Sequence, residues 1–289
     1  MSARATLALV ACALSGCFAA PSPLAPQFEG SVGYPSLGVQ TQAVELPARG
    51  SGFVRYRPHG QHYFGVPRLV AGVQNAAAHV EQRLGGKVPL VIGDLSAARG
   101  GKIKGHASHR TGRDVDLLLY VTTPAGVPVP SPGFVKLGAD GLGYVESTQT
   151  YVRFDVARQW ELIKALLLDD GLGSQLMLLS QELEAQLIDY ALARGEPAEL
   201  IFRAQSLLLE PRDSLPHDDH LHLRVACLPI ERISGCDGGG PAWSWLPGIP
   251  ENAELDATFL EQLSEQDPLE GDASSPEQLS GSSSTQGGA

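Results

Sequence analysis

Two histidine-rich stretches about a hundred residues apart constrain this chain more than any other feature. The first is His106-Ala-Ser-His109-Arg-Thr-Gly-Arg-Asp-Val-Asp116; the second is His217-Asp-Asp-His220-Leu-His222. Five of the chain's eight histidines lie in them. Imidazole and carboxylate are nitrogen and oxygen ligands of zinc, and a neutral imidazole is a base near pH 7. If the second stretch is a strand, its side chains alternate between faces. His220, His222 and Arg224 then share one face, while Leu221, Leu223 and Val225 turn into a core. That is the pattern of a half-buried strand. The run Asp116-Leu-Leu-Leu-Tyr120 also reads as a strand, with Asp116 at its start. His109 falls in the loop before it, where Gly112 lets the chain turn back. A fold that joins the two stretches can gather them around one metal.

A catalytic zinc commonly takes three protein ligands and leaves one position open. The best three here are His109, Asp116 and one of the pair His220/His222. The other histidine of the pair is placed to take a proton from water and pass it to a leaving amine. His106 and His217 remain to orient water, bind a substrate carboxylate or stabilise an oxyanion. Asp218 and Asp219 are candidates to accept the second ring proton of a histidine. Two blander readings compete: a closed structural zinc site, and surface clustering with no metal. Five histidines and several aspartates exceed what a closed site needs. A serine mechanism has little support, because no Gly-x-Ser-x-Gly elbow occurs and nothing marks Ser108 or Ser214 as activated.

The 289 residues suffice for one well-buried domain with extensions. The net charge of −11 is unevenly spread. Ten of the 32 acidic residues and none of the 21 basic ones follow Arg232, so 22 acids face 21 bases before it, a net of −1. A nucleic-acid partner would want a basic stripe, and none is present. The acidic end reads as a solvated tail.

Arg4 and the apolar run Leu7–Leu14 read as an export signal, too short to span a bilayer stably. Leu14-Ser-Gly-Cys17 resembles the signal box of bacterial lipoproteins, which implies cleavage after residue 16 and lipid on Cys17. Phe18 follows in place of aspartate, which by the same resemblance points to the outer membrane. An ordinary secretory peptide cut near Phe18-Ala-Ala20 is the simpler alternative. Either way the mature protein has no transmembrane helix; a lipid would anchor it from the periplasm. With Cys12 removed and Cys17 modified, Cys227 and Cys236 remain, and an oxidising compartment favours a disulfide between them over free thiols.

The expected organisation is a signal over 1–16, a tether and irregular arm over 17–44, a metallopeptidase domain over 45–250 and an acidic, partly disordered tail over 251–289. Residues 52–57 alternate as a strand. Residues 67–84 have helical spacing behind Pro67 and end at Gly85-Gly86. Val88–Ile92 is a strand candidate, with Pro89 favouring an edge or an early position. Residues 121–150 read as a long Pro- and Gly-rich loop, either lining a cleft or a tolerated insertion. Helices are expected over 154–168 with Asp155 capping, over 181–193 behind Ser180, and after Pro197, with a short strand at Leu176–Leu179. His59, His62 and His79 lie outside the clusters and read as local or surface residues. Trp243 and Trp245 either pack back on the domain or face a ligand. One short amphipathic helix is expected over 251–265, and disorder beyond Pro268.

One ordered set of motifs resembles a known family. It comprises Gly93-Asp-Leu-Ser96, Arg99-Gly-Gly, Gly105-His-Ala-Ser-His-Arg-Thr-Gly-Arg-Asp-Val-Asp116, Arg153-Phe-Asp155, Gly195-Glu-Pro-Ala-Glu-Leu200 and Pro216-His-Asp-Asp-His-Leu-His222. Together they resemble the bacterial penicillin-insensitive murein endopeptidases, over roughly residues 45–227. These are zinc metallopeptidases related to lysostaphin-like and D-alanyl-D-alanine-cleaving enzymes. The resemblance implies an α+β fold, a small, mostly antiparallel sheet backed by helices. It implies Zn2+ held by His109, Asp116 and His222, with His220 as general base or transition-state stabiliser. It places His106 and His217 beside the same centre, assisting or replacing a ligand in some metal states. The implied substrate and partner is peptidoglycan, cleaved at the D-alanyl–meso-diaminopimelyl cross-link. A carboxypeptidase or amidase of the same group, or a noncatalytic wall-binding lipoprotein, are the alternatives.

Overall fold

The computed structural model describes residues 30–85, 88–211 and 215–246, all within a single compact unit. The expected signal segment, Cys17, and the helix and tail expected over 251–289 lie outside the described residues.

In chain order, β1 (Ser31–Tyr34), β2 (Leu37–Gln40), β3 (Val44–Glu45), β4 (Arg49–Gly50), β5 (Phe53–Arg55) and β6 (Phe64–Gly65) lead into α1 (Pro67–Leu84). Next come β7 (Leu90–Ile92), β8 (Asp114–Leu118), β9 (Val121–Thr122), β10 (Pro128–Val129), β11 (Leu142–Val145) and β12 (Thr150–Phe154). Then follow α2 (Val156–Leu168), β13 (Ser174–Leu178), α3 (Gln181–Ala193), α4 (Ala198–Leu207), β14 (Leu208–Leu209), β15 (His220–Val225) and α5 (Pro229–Ile233).

The main sheet has the order β14-β13-β15-β8-β7-β5-β4. It is mostly antiparallel; only β13–β14 and β5–β7 run parallel. The α+β architecture expected from the sequence is present. At the centre β15 pairs antiparallel with β8, setting His222 opposite Asp116 and Arg224 opposite Asp114. Alternation sends Leu221, Leu223 and Val225, with Val115 and Leu117, to the other face. All five are fully buried, in one cluster with Val73 of α1 and Ile163 of α2. Each such side chain contributes about 1.5–3 kcal/mol by leaving water. Helices therefore cover one face of the sheet, and the polar residues of β8 and β15 stand on the other.

The local signals mostly act as expected. Pro67 opens α1, Leu69, Val70, Val73, Ala76, Ala77 and Val80 form its buried stripe, and Gly85 ends it at φ +61°. Asp155 caps α2 by accepting from the Arg158 amide. Ser180 is the N-cap of α3, although its side chain makes no capping hydrogen bond. Two expectations need correcting. Asp116 is the third residue of β8, not its first, because the ladder with β15 extends back to Asp114. Residues 121–150 are not a plain loop: β9, β10 and β11 join β12 in a sheet of order β10-β9-β12-β11. Pro128 sits on its edge strand, where a missing amide proton costs least. Within the expected arm, residues 31–40 pair as the β1–β2 hairpin, and Ser31 accepts from Arg113.

Cys227 and Cys236 form the expected disulfide. Trp243 and Trp245 stack with ring centroids 5.0 Å apart, and the Trp243 indole donates to the Gln175 carbonyl. That pair packs on the domain. No helix among the described residues is long and apolar enough to cross a membrane.

Candidate metal centre

His109 reaches the centre through an unusual backbone. Its φ is +65°, a region that non-glycine residues seldom occupy. Two contacts hold it there: Ser96 Oγ donates to the His109 carbonyl at 2.5 Å, and His109 Nδ1 donates to the Leu95 carbonyl at 2.6 Å. The second contact assigns the proton to Nδ1 and leaves Nε2 free to accept. Gly112 then turns the chain into β8 at φ +71°. A Cβ on Gly112 would displace the Gln40 side-chain amide, and its positive φ favours glycine at that turn.

Three ligand-capable atoms converge over the middle of the β8–β15 pair. His109 Nε2 is 3.2 Å from Asp116 Oδ1 and 3.2 Å from His222 Nδ1. His222 Nδ1 is 3.1 Å from Asp116 Oδ1. Atoms about 2.0–2.1 Å from a tetrahedral zinc lie roughly 3.3 Å from one another. The triangle therefore has the size that such an ion requires. All three residues are at least 96% buried. The other histidines surround it. His220 Nε2 is 3.5 Å from Asp116 Oδ1. His106 Nδ1 is 3.7 Å from Asp116 Oδ2, and its ring lies 4.4 Å from that of His109. The His217 ring lies tilted against that of His220, with centroids 4.7 Å apart. Two adjacent groups with no residue in common, His106/His109/Asp116 and His217/His220/His222, are each compact enough to hold an ion. The buried His217 Nδ1 has no hydrogen-bond partner among the described residues, an orphan consistent with a ligand or substrate group beside it.

A second layer of carboxylates orients the rings. His222 Nε2 faces Asp114 Oδ1 at 2.9 Å, which fixes its proton away from the centre. Arg224 Nε holds the same oxygen at 2.6 Å. His220 Nδ1 pairs with Asp219 Oδ1 at 2.5 Å. His106 Nε2 pairs with Asp94 Oδ2 at 3.2 Å. Of the two neighbouring aspartates proposed for this role, Asp219 takes it, and Asp218 lies instead 3.9 Å from Lys136.

The ionisation states follow from these contacts. Burial opposes charge on Asp116, yet the imidazoles of His109, His220 and His222 outweigh it and hold the carboxyl well below its usual range. For Asp114 burial is likewise outweighed, by Arg224 and His222, and its carboxyl is also held down. His220 is disfavoured as a cation by burial but raised to about 9 by Asp116 and Asp219. His217 is lowered to about 4, by burial first and then by repulsion from His220 and His222.

The structure thus brings together all six residues singled out from the sequence: His106, His109, Asp116, His217, His220 and His222. It leaves His59, His62 and His79 outside. His59 is exposed, His62 is half-buried, and His79 faces Glu161 of α2 at 3.4 Å. Sequence reasoning passed over Asp94, Asp114 and the aromatic ring of Phe134, which packs edge-on to His220 with centroids 5.4 Å apart. The alternation Asp114-x-Asp116 opposite His222-x-Arg224 was a readable signal for Asp114; nothing local marked Phe134.

Residues 31–129 match the family model described as penicillin-insensitive murein endopeptidase. A protein of that name from Salmonella heidelberg (strain SL476) is 33% identical over 244 residues, which is 83% of this chain and 78% of the relative. Another from Klebsiella pneumoniae (strain 342) is 37% identical over 92 residues, 32% of this chain and 33% of the relative. A third, from Salmonella paratyphi B (strain ATCC BAA-1250 / SPB7), is 36% identical over 102 residues, 35% of each chain. The match thus spans about a third of the second and third relatives and more than three quarters of the first. With the metal-sized histidine–aspartate triangle in place, this similarity over 83% of the chain leads to one conclusion: the chain belongs to the penicillin-insensitive murein endopeptidase family.

Proposed function

We propose that this protein is a zinc-dependent endopeptidase that hydrolyses peptide cross-links of peptidoglycan at the D-alanyl–meso-diaminopimelyl bond. The observation that carries the reading is the triangle of His109 Nε2, Asp116 Oδ1 and His222 Nδ1, with sides of 3.1–3.2 Å. These three residues are the metal ligands. Zinc bound there supplies a Lewis acid and lowers the pKa of a coordinated water.

The chain's own groups do the rest. His220 Nε2 stands beside the triangle and moves the proton from water to the leaving amine. Asp219 holds His220 Nδ1–H, so the ring turns Nε2 to the reaction. The raised pKa of His220 depends on Asp116 as well as Asp219. A cation held by Asp116 would reduce that residue's support for the charge and favour His220 as a base. His217, neutral at pH 7 with Nδ1 unpartnered, is suited to hydrogen-bond the peptide carbonyl. His106, tied to Asp94, borders the carboxylate of Asp116 and assists from that side.

The same reading places residues 1–16 as a removed signal, Cys17 as a lipidated N-terminus and the outer membrane's periplasmic face as the location. It treats residues 45–250 as the catalytic domain and 251–289 as its tail. Intact-mass measurement of the protein from its native host tests the lipid; an unmodified Cys17 would reject it.

The activity is tested by incubating the purified mature protein with cross-linked muropeptide dimers, with and without a zinc chelator, and identifying products by mass. Chelator-sensitive conversion of dimers to monomers is expected. Release of D-alanine alone would make it a carboxypeptidase. No cleavage by folded, zinc-loaded protein would overturn the reading.

A further inference from the structure

Beside the metal centre, on the His220 side, lies an aromatic lip that the reaction described above does not use. Phe134 packs edge-on to His220, and Tyr56 packs edge-on to Phe134 with centroids 5.3 Å apart. Each of the two aromatic residues is 38% exposed. Gly93 lets this lip come close to the centre. A Cβ there would meet Asp116 Cβ at 3.0 Å and the Phe134 ring at 3.2 Å. The lip is therefore packed almost directly against a proposed metal ligand.

Arg57 completes the lip. Its guanidinium lies 5.6 Å from the centroid of the Tyr56 ring. Its backbone amide donates to the Tyr63 hydroxyl, which fixes the start of the side chain. The guanidinium has five donors. Its one carboxylate contact among the described residues, to Asp94 Oδ2, is long at 3.5 Å. That oxygen is already engaged by His106 at 3.2 Å. The Arg57 side chain is 60% exposed. An arginine held over an aromatic ring, with most donors uncommitted, suits bidentate capture of a carboxylate. The relay Arg57–Asp94–His106–Asp116 runs through contacts of 3.5, 3.2 and 3.7 Å, so two side chains link the guanidinium to the centre.

We infer that Arg57, seated on the Tyr56–Phe134 lip, binds a free carboxylate on the peptide residue that donates the scissile amide nitrogen. This inference rests on the proposed peptidase activity and deepens it by naming what distinguishes a good substrate. The favoured peptide carries an α-carboxylate next to the cleaved bond, and the same peptide with that carboxylate amidated is a poor ligand. The aromatic rings shield the ion pair from water on one side, which strengthens it relative to a fully solvated pair.

The test uses zinc-loaded full-length protein and two pairs of muropeptides. One pair is cross-linked dimers with that carboxylate free or amidated; the other is the corresponding monomers. Calorimetric binding of the monomers and kcat and KM on the dimers are compared for wild type, Arg57→Ala and Arg57→Lys. Wild type is expected to bind the free-carboxylate monomer about tenfold tighter than the amidated one. Arg57→Ala abolishes that preference through KM, with zinc content unchanged, and Arg57→Lys restores part of it. Equal binding of the two monomers by wild type, or a preference retained in Arg57→Ala, overturns the inference. If wild type cleaves neither dimer, the peptidase reading falls, while the monomer binding still decides the role of Arg57.

Discussion

Asp114 Oδ1 lies 2.9 Å from His222 Nε2, two ladder positions from the point where His222 faces Asp116. The two carboxylates bracket one imidazole: Asp116 stands at Nδ1 and Asp114 at Nε2. With Asp114 accepting the Nε2 proton, Nδ1 is the nitrogen left for a metal on the Asp116 side.

The first prediction concerns that bracket. Asp114→Asn weakens the acceptor and loosens Arg224, which shares the same oxygen. Zinc affinity is expected to fall about 10–100-fold. Chelator-competition titration checks it; an unchanged dissociation constant would deny Asp114 an orienting role.

Replacing His109 or Asp116 by alanine removes one corner of the triangle. Zinc content and turnover are expected to fall together, turnover by more than about 100-fold, since a zinc site needs its three protein ligands. Elemental analysis of the purified variants alongside muropeptide cleavage is the check. Full metal occupancy in both variants would sink the ligand assignment.

His220→Ala separates holding the metal from moving the proton. Most of the zinc is expected to stay, while turnover drops about 10²–10⁴-fold, the usual contribution of a positioned acid–base group. Near-normal turnover by the metal-loaded variant would reject the role given to His220.

The disulfide closes a short loop, with Cys227 and Cys236 nine residues apart. Beyond Cys236 the Asp237, Gly238 and Gly239 carbonyls accept from Arg113 and Arg224. Arg113 is fully buried, and burial lowers its pKa to about 10 despite the carboxylate of Asp114. Paired Cys227→Ser and Cys236→Ser substitutions are expected to cost about 2–3 kcal/mol of stability through loop-closure entropy. Chemical denaturation measures it. A loss under about 0.5 kcal/mol would show that the loop is held by these hydrogen bonds without the bond between the sulfurs.

Local rules made much of the framework legible. Pro67 and the stripe from Leu69 to Val80 mark α1 because a helix must bury one face against a core. The alternation in His220–Val225 marks β15 for the corresponding reason in a sheet. The strands β9 to β11 were hidden, because their signal is a few residues long and interrupted by prolines, and they exist through pairing with β12. Ser180 shows the limit of a local signal: the residue stands at the N-cap, but its hydroxyl makes no capping bond.

By itself the sequence determined which side chains can carry metal chemistry, and that His220 and His222 share a face, since alternation is a property of any strand. Alternation alone could not decide which of the pair completes the triangle, a place that the family resemblance assigned to His222. That depends on the register of β15 against β8, which places His222 opposite Asp116 and His220 opposite Leu118. Nor could the sequence settle which of Asp218 and Asp219 partners a histidine, give the two contacts of the Asp114–His222–Asp116 bracket, or show the Tyr56–Phe134 lip. Those contacts join residues from separate elements, and only the packed chain brings them within the few ångströms over which hydrogen bonds, ion pairs and ring contacts act.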